Sequence, residues 1–174
     1  PLTSVPARTA LSPNVYAGAA GGSEGYGIGA AIGLKLAAID RHVVGLVGDG
    51  SVLFADNGLR TAADHRVPVL YVVPNNGSYG VVADYMAKVD GVMKETGEYS
   101  GVALNDVDIV KVAEGFGVEG IDVREEDGLT ESIVDGLELV EREQRPLLLN
   151  AHLPLGLPAG GRPARPFRPS DLKA

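Results

Sequence analysis

The chain has 174 residues, 45% of them hydrophobic and 22% charged, with a net charge of −8. That is enough for one domain with a buried core. The acidic balance argues against a nucleic-acid or membrane-surface partner, and the lack of cysteine removes disulfides and thiolate metal sites. No apolar run reaches the ~20 residues of a bilayer span, and the N-terminal residues lack the basic-then-apolar layout of a signal peptide. The expected location is cytoplasmic.

Residues 1–24 are rich in Pro, Ser, Ala and Gly and read as loop, punctuated by Pro6 and Pro13. No clear strand precedes them, so the chain is expected to begin inside a domain. Gly25 to Ala38 reads as a tightly packed helix through Ile28, Ala31, Ile32, Leu34, Leu36 and Ala37. After a turn at Asp40-Arg41, Val43–Val47 has the all-apolar character of a buried parallel strand. Helical spacing follows from Leu53 to Asp64, then Val67-Pro68 leads into a second strand, Val69–Val73. Val81, Val82 and Tyr85 open a further helix, and Asp90 to Gly101 reads as a mobile surface loop. Asp108 to Glu114 is a short amphipathic helix ended by Gly115, and Gly117–Val123 a strand. Gly128 to Arg142 is a helix with Leu129, Ile133, Val134, Leu137 and Val140 on one face. Leu147–Ala151 is the last strand. From Pro154 the Pro-, Gly- and Arg-rich sequence reads as extended or disordered. This divides the chain into a domain over residues 1–153 and a tail over 154–174. Alternating strands and helices predict an α/β fold, a doubly wound, mostly parallel sheet with helices on both faces.

Two turns carry the chemistry. Gly48-Asp49-Gly50-Ser51 ends the first strand, and Asn75-Asn76-Gly77-Ser78-Tyr79-Gly80 ends the second, with 24 residues between Gly50 and Asn75. Ligands of open α/β sheets bind outside the carboxyl ends of the strands. An Asp between two glycines points a carboxylate off that edge while its neighbours let a ligand approach the backbone. Ser51 is expected to cap the next helix, whose N-terminus offers N–H groups to an anion. Asp49, the Asn76 amide oxygen and the Ser78 carbonyl supply hard oxygens of the kind Mg²⁺ takes together with phosphates and water. Either turn alone reads more readily as a plain tight turn; at this spacing, both at strand ends, one joint site is the preferred reading. Gly25-Tyr26-Gly27-Ile28-Gly29-Ala30 fits a loose dinucleotide fingerprint but follows no strand. His42, His65 and His152 are far apart and read as structural or exposed, and Glu125-Glu126-Asp127 as a solvated turn.

Gly48-Asp49-Gly50 followed by Asn75-Asn76 resembles the thiamine-diphosphate-binding signature. Gly21-Gly22-Ser23-Glu24-Gly25-Tyr26, Ala30-Ala31-Ile32-Gly33, Thr61-Ala62-Ala63 and Asn75 through Gly80 extend the resemblance to the diphosphate-binding domain of benzoylformate decarboxylase and its relatives, from about Gly21 to Ala151. The resemblance implies a six-stranded parallel sheet and Mg²⁺ held by Asp49, Asn76 and the Ser78 carbonyl. It implies thiamine diphosphate bound by Gly22, Ser23, Glu24, Gly48, Asp49, Gly50, Ser51, Asn76, Ser78, Tyr79 and Gly80, with the Gly22 carbonyl facing the aminopyrimidine. Val81, Val82 and Tyr85 match positions that wall the substrate pocket, though packing at a helix start accounts for them equally well. Thr3 and Ser4 match a diphosphate-contacting region only weakly.

One residue departs from the family pattern. Where relatives place an apolar wedge under the cofactor, this chain has Glu24. Its carboxylate either points to solvent or lies near the aminopyrimidine as a catalytic group. In the family that glutamate comes from a pyrimidine-binding domain, usually across a subunit interface, which 174 residues do not also contain. The implied protein is therefore one subunit of a split enzyme (a hetero-oligomer, such as a dimer of heterodimers) or a fragment of a longer chain, inactive alone. The implied function is decarboxylation of a small-molecule 2-oxo acid. An acetolactate-synthase-like carboligase component and a non-catalytic assembly or regulatory subunit are the alternatives.

Overall fold

A computed structural model describes residues 16–18, 22–104, 107–166, 168 and 170. The elements in chain order are α1 (Tyr26–Ala37), β1 (Val44–Leu46), α2 (Asp49–Phe54), α3 (Asn57–Asp64), β2 (Leu70–Asn75), α4 (Gly80–Lys88), α5 (Val92–Thr96), β3 (Glu98–Tyr99), α6 (Ile109–Gly115), β4 (Glu119–Val123), α7 (Leu129–Glu143), β5 (Leu147–His152) and β6 (Arg162–Pro163). No helix among these residues is long and apolar enough to cross a membrane.

Leu70 to Val73 and Leu147 to Leu149 are buried without a break, and a strand with no polar face must be covered on both sides. The two strands lie together at the centre of a four-stranded, all-parallel sheet of order β1-β2-β5-β4. Val69, Tyr71, Val73 and Leu148 face one core with Ile28 and Ala31 of α1, Leu59 and Ala62 of α3, and Ile109 and Ala113 of α6. Leu70, Val72, Leu147 and Leu149 face the other, against Val140, Leu137 and Ile133 of α7. The parallel α/β architecture is as expected and its central strands are covered on both faces; β1, read as a buried strand, instead leaves Val44 and Leu46 exposed on one face. The six described strands are divided four and two: β3 and β6, two residues each, form a separate parallel pair. They are too short to extend the sheet, and they sit instead with a third cluster in which Tyr99, Ala83 and Val102 are buried.

Three local expectations change. The single helix over Leu53 to Asp64 is two. It starts at Asp49, directly after the strand, with Gly48 extended as N-cap. It breaks at Ala55, and Asp56 starts α3 by accepting from the Asn57 amide at 2.8 Å. Gly58 lies so close to α1 that a Cβ there would meet Ile28 at 2.8 Å, which fixes the angle of the second helix. Ser51 is consequently inside the first turn of α2 and caps nothing. Asp90 to Gly101 is ordered into α5 and β3, because buried Tyr99 anchors it and Glu98 pairs with Arg162 at 2.7 Å.

The segment after Pro154 runs extended across the carboxyl edge of the sheet. Gly156 N–H donates to the Asn76 carbonyl at 2.8 Å, Ser78 Oγ donates to the Gly156 carbonyl at 2.7 Å, and Arg162 N–H donates to the Gly97 carbonyl at 2.9 Å. Gly161 packs under Tyr99, where a Cβ would fall 2.8 Å from the ring.

At the opposite edge Lys35, 1% exposed, donates to the Arg41 carbonyl at 2.6 Å and pairs with Glu141 at 3.2 Å, tying α1 to α7. Glu141 is partly solvated and also lies 3.3 Å from His42 Nδ1, so removing its lysine partner does not strand a buried charge. Replacing a buried ion pair by an apolar side chain of similar volume is often near neutral. Lys35→Met is therefore expected to change the unfolding free energy by no more than about 1 kcal/mol, as read by urea denaturation.

Candidate functional site

Asp49 stands at the carboxyl end of β1, one residue into α2, and is 4% exposed. Its Oδ1 accepts from the Gly50 amide at 2.9 Å, while Oδ2 is buried with no hydrogen-bond partner. Burial pushes the carboxyl above the ordinary Asp range, against the backbone N–H groups of Gly50, Gly77 and Ser78, which pull it down. A buried charge that is neither paired nor solvated is costly, and a cation is the group that would satisfy it. Among the described residues no three His, Asp or Glu side chains gather as a metal cluster. A cation held by Asp49 would take its remaining protein ligands from amide and carbonyl oxygens.

The second turn supplies such oxygens at the same edge. Val47 N–H donates to the Val72 carbonyl at 3.0 Å, carrying the β1–β2 ladder to the two turns. Gly50 lies under Tyr79, whose ring a Cβ at position 50 would strike at 2.6 Å. Phe54 holds that ring from the side, edge-on, with centroids 6.0 Å apart. Gly77, at φ 65°, makes the reversal that only a residue without a side chain adopts freely. The Asn76 carboxamide oxygen accepts from the Ser78 amide at 3.0 Å. Ser78 Oγ lies 3.3 Å from the same oxygen but gives its one proton to the Gly156 carbonyl at 2.7 Å, so the carboxamide oxygen keeps a lone pair that a cation could take. A cleft of about 220 Å³ opens beside Asp49, lined also by Asn75, Gly77, Leu104, Ile109 and Leu155.

The structure thus brings Gly48, Asp49, Gly50, Ser51, Asn76, Ser78, Tyr79 and Gly80 to one edge. Gly22 and Ser23 are exposed on the approach to α1. Glu24 is exposed, and its Oε2 accepts a hydrogen bond from Ser51 Oγ; its carboxylate therefore lies against the first turn of α2. Val81, Val82 and Tyr85 are on the exposed face of α4, 67%, 45% and 63% accessible. They neither pack in the core nor line the cleft at Asp49. Thr3 and Ser4 lie outside the described residues.

Sequence reasoning missed two contributors. One is the segment around Leu155 and Gly156, which closes the turn from outside; its Gly and Pro content signalled only irregular chain. The other is the Asn75 side chain, which accepts from the Gly77 amide at 3.0 Å and donates to Asn150 at 3.0 Å. The doubled asparagine was its one local signal.

Comparison with known proteins agrees with this geometry. The family model described as "Thiamine pyrophosphate enzyme, C-terminal TPP binding domain" matches residues 5–151. Benzoylformate decarboxylase of Pseudomonas aeruginosa is 35% identical over 109 residues, which is 63% of this chain and 20% of that protein. A putative acetolactate synthase large subunit of Mycobacterium tuberculosis is 33% identical over 138 residues, 77% of this chain and 26% of that one. Among solved structures, the thiamine diphosphate-dependent 4-hydroxybenzoylformate decarboxylase of Rhodococcus jostii superposes with a TM-score of 0.65 at 32% identity, covering 78% of this chain and 24% of its own. The chain spans about a quarter of the length of these relatives. It belongs to the thiamine pyrophosphate enzymes, as their C-terminal cofactor-binding domain.

Proposed function

We propose that this chain is the diphosphate-binding part of a Mg²⁺- and thiamine-diphosphate-dependent decarboxylase of 2-oxo acids, working with a separate pyrimidine-binding domain. The observation that carries the reading is the buried, unpartnered Asp49 Oδ2 beside an amide- and carbonyl-rich turn, in a chain of this family. Asp49, the Asn76 amide oxygen and the Ser78 carbonyl would hold Mg²⁺. Gly50 and Ser51, in the first turn of α2, would hold the diphosphate. When bound, thiamine diphosphate would supply the electron sink that decarboxylation of a 2-oxo acid needs. This chain's residues anchor the phosphates, neutralise their charge through the cation, and offer one apolar wall through Val81, Val82 and Tyr85. Exposed as they are, these three would complete a substrate pocket only against the partner domain, and a dimer of heterodimers is the arrangement we propose. A carboligase role is the second reading, favoured by the 33% identity to a putative acetolactate synthase subunit over 77% of the chain. A non-catalytic subunit is the third, favoured by Glu24.

Calorimetric titration of thiamine diphosphate into the chain with its partner, with and without Mg²⁺, tests the reading. Heat that depends on Mg²⁺ supports it; no heat in either case refutes it.

Glu24 gives a finer test. Its carboxylate, bonded to Ser51, puts a negative charge beside the helix turn assigned to the diphosphate. Between partly solvated charges this repulsion is modest. Glu24→Gln is expected to tighten cofactor binding about threefold. Unchanged affinity with reduced turnover would instead assign Glu24 the catalytic role.

A further inference from the structure

Three strand ends carry polar side chains that join into one row leading to the cation turn. The register sets Asp122 of β4 against Asn150 of β5, and Asn75 of β2 against His152 of β5. Residues two apart on a strand share a face, so Asn150 and His152 lie together. Asn150 Nδ2 donates to Asp122 Oδ1 at 2.8 Å, Asn75 Nδ2 donates to Asn150 Oδ1 at 3.0 Å, and Gly77 N–H donates to Asn75 Oδ1 at 3.0 Å. Behind them His152 Nε2 is 2.6 Å from Asp122 Oδ1, and Arg124 Nη2 is 3.2 Å from Asp122 Oδ2.

The donors and acceptors have one consistent direction. An ionised carboxylate only accepts, whereas a carboxamide has one donor end and one acceptor end. Asp122 therefore obliges Asn150 to turn Nδ2 towards it and Oδ1 away. Asn150 in turn obliges Asn75 to offer Nδ2 to it and Oδ1 to the Gly77 amide. Burial raises the Asp122 pKa, but the hydrogen bonds of His152 and Asn150 and the charges of His152 and Arg124 outweigh it and leave it below the ordinary value. The acceptor end of the row is thus held charged.

We propose that Asp122, Asn150 and Asn75 form a polarity relay that sets the Gly77–Ser78 backbone in the orientation needed for cation and diphosphate. The relay rests on the cofactor-binding reading above. It makes these three positioning residues, none of them a ligand. Without the charge at position 122, both carboxamides can invert, and an inverted Asn75 sets its Nδ2 against the Gly77 N–H, donor against donor.

The test is a double-mutant cycle in the chain assembled with its partner domain, read by calorimetric titration of Mg²⁺ with thiamine diphosphate and by hydrogen exchange at the Gly77 amide without cofactor. Asp122→Asn is expected to weaken binding roughly tenfold, the equivalent of one well-formed hydrogen bond. Asn75→Asp, which sets an acceptor against Asn150 Oδ1, is expected to weaken it by a similar factor. Together they restore a consistent row running the other way. The amide introduced at 122 donates to Asn150 Oδ1, Asn150 Nδ2 donates to the carboxylate introduced at 75, and that carboxylate still accepts from Gly77. The pair is expected to bind within about twofold of wild type. Gly77 exchange is expected to quicken in each single variant and recover in the pair. Additive losses, tighter binding by Asn75→Asp alone, or unaltered Gly77 exchange in Asp122→Asn would overturn the relay. A wild-type assembly of chain and partner that fails to bind would remove the functional reading and the relay's role with it. Wild-type binding matched by Asp122→Asn would remove the relay alone.

Discussion

Asp49→Asn is expected to lower Mg²⁺-dependent affinity for thiamine diphosphate by about a hundredfold or more, since one anionic ligand to a hard cation is lost. The same change is expected to stabilise the cofactor-free chain at neutral pH by about 1 kcal/mol. The two effects have one cause. Asp49 Oδ2 is buried without a partner, a burden when the site holds nothing and an asset when it holds a cation. The amide keeps the acceptor that meets the Gly50 N–H and removes the charge. The pH dependence follows from the upward displacement of the Asp49 carboxyl. The native chain holds that proton more tightly than the unfolded chain. The resulting stability is fully present in acid, below the unfolded value, and is lost as pH rises through the folded value. The variant's advantage over wild type is therefore expected at neutral pH and should vanish in acid. Urea unfolding of the cofactor-free proteins at both conditions checks it. An equal difference at both would show that Asp49 does not carry this penalty.

Gly156→Val is expected to release the segment from Leu153 to Arg162 from the cation turn. A Cβ at position 156 would lie 2.3 Å from Asn76 Nδ2 and 2.5 Å from its Cγ, far inside contact distance. The segment would have to lift, breaking the bonds from Gly156 N–H to the Asn76 carbonyl and from Ser78 Oγ to the Gly156 carbonyl. At roughly 1 kcal/mol each, the loss is about 2 kcal/mol. The sharper readout is local. Limited proteolysis between Leu153 and Arg162 is expected to become fast in the variant while the sheet remains resistant. Wild-type cleavage rates in the variant would show that the segment is not seated through Gly156.

Much of the scaffold was legible in the sequence. Val69–Val73 and Leu147–Leu149 are unbroken apolar runs, and such runs read as doubly covered parallel strands whatever their neighbours. Asp49 and Asn76 stand just past strand ends, so their placement at the carboxyl edge followed from the strands. The break between α2 and α3 was hidden because Leu53, Leu59, Ala62 and Ala63 keep helical spacing across it. The stop at Ala55 is decided by Asp56 as a cap and by the close approach of Gly58 to Ile28. Asp90 to Gly101 looked mobile because its polar composition outweighs the one residue, Tyr99, that a distant cluster buries.

The family, the parallel α/β architecture, and the two turns that offer an acid, an amide and a carbonyl at one edge are all legible in the residues alone. These depend on local pattern: strand hydrophobicity, glycine spacing and the chemistry of adjacent side chains. Chain packing in three dimensions leaves Asp49 Oδ2 without a partner and lays Glu24 against Ser51. It also decided that Gly156 closes the turn, and that Asp122, Asn150 and Asn75 make one directed row. The last three join residues 27 to 80 positions apart. Strand register and chain crossing set their meeting, and neither can be read from any one stretch of the chain.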